Sequence, residues 1–334
     1  MFHMFAKIIS LENLFAAWRE FLCGKRQRCD VMCFGVHVED HLFALHKQLA
    51  DGVWRHGCYT RFTVCDPKPR VIHKASVGDR ILHHAIVRVI EPLFDTSFVY
   101  DSWSCRKEKG TYHAVLRCHQ ELERLYQNYH GEVWVLKCDI KKYFESIDHE
   151  ILFEILAKQI KDHETLALLK EIIQSFPFGV PLGNLTSQLF SNIYLNAFDH
   201  FVKEKLHTPV YLRYSDDFFL VHRSRDWLEE KIAPIRDYMK DARHLTLHPT
   251  KIHLRPFHHG IDCLGYVLYP GYRVLRMRTR RRLWRQIRNT VTTYLAGTQS
   301  WESLTSTFAS YDGILKAGRN ETDRKKLELL KNCL

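Results

Sequence analysis

Tyr211–His222, YLRYSDDFFLVH, constrains this chain more than any other stretch. Apolar and aromatic residues flank a polar turn, which is the pattern of a β-hairpin. Tyr211-Leu212 and Phe218-Phe219-Leu220-Val221 favour burial, whereas the turn Ser215-Asp216-Asp217 carries two adjacent negative charges that burial penalises unless something compensates them. Paired carboxylates at a hairpin tip beside a hydrophobic sheet suit a hard divalent cation. Mg²⁺ in particular takes one or two carboxylates together with substrate phosphates. Read alone, the same residues also describe an ordinary solvated Asp-Asp turn.

A third acid lies upstream. In GEVWVLKCDIKKYFESIDHEIL, Gly131–Leu152, the β-branched and aromatic run Val133-Trp134-Val135-Leu136 leads to Asp139, and apolar residues at helical spacing begin near Asp148. Asp139 is therefore expected at the carboxyl end of a buried strand. One strand-end Asp and one hairpin Asp-Asp are what a two-metal phosphoryl-transfer site needs, with ions about 3.5–4 Å apart.

These motifs together resemble the palm of reverse transcriptases. The matching pieces are Asp139 with Tyr143-Phe144, the Tyr-Ser-Asp-Asp at 214–217, the segment Val180–Asn196 between them, LTLHPTKIHL at 245–254 and CLGYVLYP at 263–270. All five stand in the family's order. The resemblance implies an α+β right-hand polymerase, with fingers, a palm of antiparallel sheet backed by helices, and a helical thumb. It also implies RNA-directed DNA polymerase activity with Mg²⁺ as cofactor (two ions, Mn²⁺ as a substitute). The metal ligands it implies are Asp139, the Ile140 carbonyl and Asp216, with Asp217 in support. Lys251 matches a lysine proposed to protonate the pyrophosphate leaving group, and Phe144 matches an aromatic gate against the ribose 2′-hydroxyl. Lys142 and Tyr143 would lie with Phe144 at the nucleotide, and Leu264-Gly265 match a primer-grip turn.

Residues 182–188 narrow the resemblance. Most reverse transcriptases carry Gln-Gly-x-x-x-Ser-Pro there, and this chain carries Leu182-Gly183-Asn184-Leu185-Thr186-Ser187-Gln188. Leu182 and Gln188 at the exchanged positions resemble the reverse transcriptases of diversity-generating retroelements, which copy a template RNA with frequent errors at adenines. An apolar wall in place of an amide discriminates weakly between similar substrates. Some bacterial antiviral-defence reverse transcriptases, which work with a structured noncoding RNA, look similar. A catalytically dead RNA-binding scaffold is a third reading, and the presence of all three acids argues against it.

Basic residues supply the remaining candidates. The net charge is +11, as expected for a partner of polyanions, a basic solvated protein or one attracted to membranes. Lys68 and Arg70 in CDPKPRVIHKAS lie where the family's fingers meet the incoming triphosphate, and Arg80 in the helix expected at 79–94 is a further candidate. Arg106 and Lys109, in SCRKEKGTYHAV, resemble a segment near template or primer backbone, where contacts give affinity and position but not sequence choice. RMRTRRRLWRQIR, Arg276–Arg288, predicts a basic thumb helix with Arg280, Arg281 and Arg285 on nucleic-acid phosphates.

The expected organisation is an N-terminal helical extension at 1–50, fingers at 51–130, palm at 131–268 and thumb at 269–334. Within it, two helices are expected before residue 50, one helix at 148–176, another at 189–205 and another at 227–241. The ten cysteines form no Cys-x-x-Cys, so reduced thiols are expected, and the pairs His83-His84 and His258-His259 read as surface or packing residues. No apolar run approaches a membrane span and no clean leader cleavage site appears, so a cytoplasmic protein is expected, and the resemblance implies a bacterial or phage origin. The partners that the resemblance implies are template RNA or a structured noncoding RNA, a DNA or RNA primer, dNTPs and, for a retroelement, a small basic ring-forming accessory protein, with no membrane expected. From these 334 residues, neither a nuclease domain nor the extra C-terminal domains of a group II intron maturase is expected.

Overall fold

The computed structural model describes residues 4–65 and 69–334. Four helices open the chain, α1 (Met4–Ile9), α2 (Leu11–Phe21), α3 (Cys29–Val36) and α4 (Val38–Ala50). The hairpin strands β1 (Thr60–Cys65) and β2 (Pro69–Lys74) follow, then α5 (Val77–Asp95), α6 (Thr111–Asn128) and β3 (Trp134–Asp139). Next come α7 (His149–Gln159), α8 (His163–Gln174), α9 (Leu185–His200), β4 (Val210–Tyr214), β5 (Asp217–His222) and α10 (Arg225–Arg243). Short strands β6 (His253–Pro256), β7 (Ile261–Cys263), β8 (Tyr266–Tyr269) and β9 (Tyr272–Leu275) precede three closing helices, α11 (Met277–Leu295), α12 (Trp301–Ala317) and α13 (Glu321–Asn332). The fold is α+β, with every strand pairing antiparallel.

The chain forms two compact units, each assembled from three separated stretches. The first gathers Met1–Cys105, Ile140–Lys205 and Pro234–His248; the second gathers Arg106–Asp139, Leu206–Ala233 and Pro249–Leu334. In the first unit, α5 packs on α2 and α9, burying Leu14, Phe21, Ile81, Ile86, Ile90, Phe190 and Phe198. The second unit is built on a four-stranded sheet of order β4-β5-β3-β6 and a three-stranded meander β7-β8-β9. The central strands are apolar on successive residues, Phe218-Phe219-Leu220-Val221 in β5 and Val135-Leu136 in β3, and all of these are buried. A continuous apolar run marks a strand covered on both faces.

Several expected boundaries move, each for a local reason. The single helix expected at 148–176 is two, because Ile160 is extended (φ −93°, ψ 122°) and Asp162 caps a new helix by accepting from the Glu164 amide. The helix expected from Leu189 begins four residues earlier at Leu185, with Asn184 at its N-cap position, and its expected end, 201–205, is a single π-helical turn. The expected 227–241 helix runs Arg225–Arg243. Among the described residues before 50 there are four helices, not two. Ser10 separates α1 from α2 and caps α2 through the Asn13 amide, and α3 was not expected.

Asp148 illustrates how the caps hold this framework. It accepts from the amides of Glu150 and Ile151 at the start of α7 and from His244 Nδ1 at 2.9 Å. Burial opposes its ionisation, but His244 and the two amides outweigh it and hold the carboxyl below its ordinary range. Asp148→Ala should cost about 1–2 kcal/mol, read as an earlier chemical-denaturation midpoint. No change in midpoint would show that water replaces the cap.

Candidate active site

β3 ends at Asp139 and β5 begins at Asp217, and the register places these two residues directly opposite each other. Tyr214 pairs with Asp217, so the turn is the two residues Ser215-Asp216, with Ser215 in the left-handed region at φ +57°. Asp216 thus stands at the hairpin tip beside the Asp139–Asp217 pair. Cβ atoms of opposed residues lie about 4.5–5.5 Å apart, and like charges so placed repel.

Two lysines offset the repulsion. β6 pairs His253 with Lys137, and continuing that register by two residues places Lys251 opposite Asp139. Lys251 Nζ indeed lies 2.7 Å from Asp139 Oδ2. Lys137 Nζ is 3.9 Å from Asp217 Oδ2, 5.3 Å from the Phe219 ring centre, and donates to the Asp262 carbonyl at 3.1 Å. Beneath the turn, Arg213 is 1% exposed and donates to the Ser215 carbonyl at 3.3 Å. The Tyr214 hydroxyl meets Thr111 Oγ1 at 2.9 Å. Neither Lys137 nor Arg213 was singled out from sequence. An arginine inside the apolar run of β4 is the signal that could have found the second.

Burial pushes the Asp217 carboxyl up to about 6, opposed by Lys137, reinforced by Asp216 and Asp139, and opposed again by Lys251. A carboxylate-rich strand edge of oxygen donors suits a hard divalent cation. Among the described residues no three His, Cys, Asp or Glu side chains converge into a ready-made cage. Mg²⁺ takes part of its coordination from one or two carboxylates and the rest from substrate phosphates. Asp139, Asp216 and Asp217 fit that role, and the Ile140 backbone follows Asp139 directly, in a bridge with Leu247.

The family description "Reverse transcriptase (RNA-dependent DNA polymerase)" matches residues 65–268, more than half of the chain. The chain belongs to the reverse transcriptase family. Protein YkfC of Escherichia coli strain K12 is 25% identical over 258 residues, 64% of this chain and 65% of that protein. The group II intron-encoded protein LtrA of Lactococcus lactis subsp. cremoris is 24% identical over 177 residues, 49% of this chain and 28% of LtrA. Nuclear intron maturase 1 of Arabidopsis thaliana is 25% identical over 96 residues, 29% of this chain and 12% of the maturase. The chain therefore spans just under two thirds of YkfC and much smaller shares of the intron proteins. Among solved structures, telomerase from Candida albicans, with a fragment of telomeric RNA, superposes with a TM-score of 0.52 at 12% identity, covering 80% of this chain and 57% of that one. At that identity the likeness is one of fold, and the α+β architecture is that of a right-hand polymerase.

In the first unit, the 182–188 segment is docked on β2. The Leu182 carbonyl accepts from the His73 amide at 3.0 Å, and a Cβ on Gly183 (φ +127°) would lie 3.1 Å from the His73 carbonyl. Leu182 is half-buried, Gln188 is exposed on α9, and Arg70 is exposed on β2. Thr186 Oγ1 lies 2.8 Å from Nδ1 of His83, whose ring is held neutral, its pKa pushed down to about 3 by burial and then by His56 and His84. Lys68 lies outside the described residues. Phe144 is half-exposed and edge-on to Tyr143 at 5.4 Å, and Lys142 is exposed, 3.1 Å from Glu145.

Three expectations need correction. Tyr143 is 2% exposed and its hydroxyl donates to the Ser191 carbonyl at 2.5 Å, so its side chain fixes α9 and is not presented to a nucleotide. Arg80 is buried on Asp30 at 2.5 Å and over the Phe21 ring at 4.9 Å, which makes it a packing residue of the N-terminal helices. Arg280 forks onto Asp323 at 2.5 and 2.8 Å, so its guanidinium is already paired with a carboxylate of the protein. Elsewhere in the second unit, Arg281 and Arg285 are exposed. Arg106 and Lys109 lie in the loop before Gly110, which stands at the N-cap position of α6. Leu264 and Gly265 form a turn with φ +50° and +91°, the pattern of a type I′ hairpin.

The raised Asp217 carboxyl has a stability consequence. Its proton is held more tightly in the folded than in the unfolded chain, so its contribution is full below the ordinary carboxylate range and is lost as pH rises through about 6. In metal-free protein, Asp217→Asn should therefore stabilise at pH 7.5 by about 1–2 kcal/mol and leave stability nearly unchanged at pH 4.5. Melting temperatures with chelator at the two pH values test this. Equal effects at both would show that the carboxyl is not strained by burial.

Proposed function

We propose that this chain is an RNA-directed DNA polymerase that adds dNTPs to a primer 3′-hydroxyl on an RNA template. The observation that carries this reading is the antiparallel pairing of Asp139 with Asp217, with Asp216 at the adjoining turn and Lys251 on Asp139, in a chain of the reverse transcriptase family. Asp139, Asp216 and the Ile140 carbonyl would hold two Mg²⁺ ions, for which Mn²⁺ can substitute, with Asp217 in support. When bound, such ions activate the primer hydroxyl and stabilise charge on the phosphorane-like transition state. Lys251 presents an ammonium proton beside the carboxylates, suited to a pyrophosphate leaving group. Arg70 is offered to the triphosphate, Phe144 to the sugar edge, and Leu182 and Gln188 to the base pair being formed. Leu264-Gly265, Arg106, Lys109, Arg281 and Arg285 are offered to the nucleic-acid backbone.

The biological setting we favour is error-prone cDNA synthesis in a diversity-generating retroelement, with a template RNA and a ring-forming accessory protein. Leu182 and Gln188 support it as the exchanged positions of the motif, and the apolar wall that Leu182 supplies discriminates weakly between similar substrates. The intron-encoded relatives support a second setting, a group II intron reverse transcriptase. An antiviral reverse transcriptase working with a noncoding RNA is a third setting, since some bacterial defence reverse transcriptases look similar at 182–188.

Primer extension on an RNA template with Mg²⁺, followed by sequencing, tests the chemistry and the setting together. Wild-type protein should extend the primer with errors concentrated at template adenines, and Asp216→Ala should abolish extension. Accurate extension would remove the retroelement reading and leave the polymerase. No extension, even with co-purified RNA and accessory proteins supplied, would remove the enzyme. In the same assay, Phe144→Val should raise ribonucleotide incorporation at least tenfold, and an unchanged ratio would show that Phe144 is packing alone.

A further inference from the structure

α11 presents its arginines in two ways. Leu283 and Ile287 are buried beneath it, and Arg278, Arg281, Arg285 and Arg288 are exposed at spacings of three, four and three, away from that apolar side. Arg280 turns inward and pairs bidentately with Asp323, which is 2% exposed. Trp284 Nε1 donates to the same carboxylate at 3.3 Å. Asp323 therefore neutralises Arg280 and engages the one polar atom of the Trp284 ring, so what Trp284 offers a ligand is aromatic surface.

Beside this fixed pair lies an open hollow of about 440 Å³, lined by Trp284, Met277, Arg281, Arg288 and Lys326. Among the described residues, none of Arg281, Arg288 and Lys326 has a carboxylate partner, and the one acid at the hollow is already matched by Arg280. Three uncompensated cations around an indole call for a ligand that is at once anionic and flat. The volume falls in the range of small-molecule sites, about 300–1,000 Å³.

We propose that this hollow seats one unpaired nucleotide of a bound single strand, its base against Trp284 and its flanking phosphates on Arg281, Arg288 and Lys326. A duplex would satisfy the cations but not the indole, because its base faces are hidden in the stack. A single strand satisfies both, and base–aromatic stacking is tolerant of sequence. The proposal takes from the polymerase reading only the source of the strand, a nucleic acid already on the protein.

The test uses the full chain, without dNTPs or divalent cations. The probe is a 20-nucleotide single-stranded RNA carrying 5-iodouridine in a uridine tract, with a blunt 20-base-pair duplex as comparison. Photo-crosslinks should map to the peptide containing Trp284. Trp284→Ala should weaken single-strand binding about tenfold, Trp284→Phe less than threefold, and neither should change duplex binding. Lys326→Gln, which leaves the Trp284–Asp323 bond intact and so does not depend on how Trp284→Ala folds, should reduce the slope of log affinity against log salt by about 0.7. Crosslinks elsewhere with an unaltered salt slope, or equal losses for single strand and duplex, would overturn the pocket. Primer extension on the same preparations separates the two ideas. Extension without a Trp284 effect removes the pocket alone, and a Trp284 effect without extension removes the polymerase alone.

Discussion

The structure depends on an unfavourable pairing, two carboxylates set opposite each other where two buried strands meet. Nothing in the sheet itself gains from placing Asp139 against Asp217. Both strands are apolar on successive residues, and their apolar runs pair with each other, Val135 with Val221, Leu136 with Leu220 and Cys138 with Phe218, which leaves Asp139 and Asp217 opposed at the strand ends. The hydrophobic pairing therefore fixes the acids, and the neighbourhood then manages their repulsion. Lys251 and Lys137 lie against them from the chain around β6 and from β3, and Arg213 secures the turn from below. Residual strain appears as an Asp217 carboxyl that resists ionisation. Asp139, Asp216 and Asp217 are the groups that would hold a divalent cation there.

The first unit solves a different problem, holding a short loop and a helix start in one position. Leu182 joins the β2 backbone, Gly183 admits the close approach, and Thr186 rests on a histidine kept neutral by burial. Tyr143 and Arg80, which look from sequence like ligand-facing groups, serve this scaffold instead. Aromatic and basic residues near a motif are as often its supports as its contacts, and burial separates the two roles.

Much of the fold was legible in the chain. The hairpin at 211–222, the strand ending at Asp139, the basic helix after Arg276 and the Leu264-Gly265 turn all carry local signals strong enough to survive packing. The helix boundaries were less legible. Residues 148–176 keep an apolar periodicity through the break at Ile160, so only the cap formed by Asp162 reveals two helices. α3 is short and weakly amphipathic, and its sequence does not announce it.

What the sequence by itself determined is the set of chemical groups and their order: three acids, a lysine, a glycine-bearing loop and a run of arginines, each on an element whose type its own periodicity dictates. Only the tertiary structure decided their partners. Arg280 and Arg281 are adjacent and chemically identical, yet one is bound to Asp323 and the other faces solvent, because helical geometry turns neighbours about 100° apart and α13 passes on one side alone. The same holds for Lys137, ordinary in sequence and placed beside Asp217 by the pairing of strands about eighty residues apart. Local physics writes the elements, and long-range register assigns each charged side chain either to the scaffold or to the site.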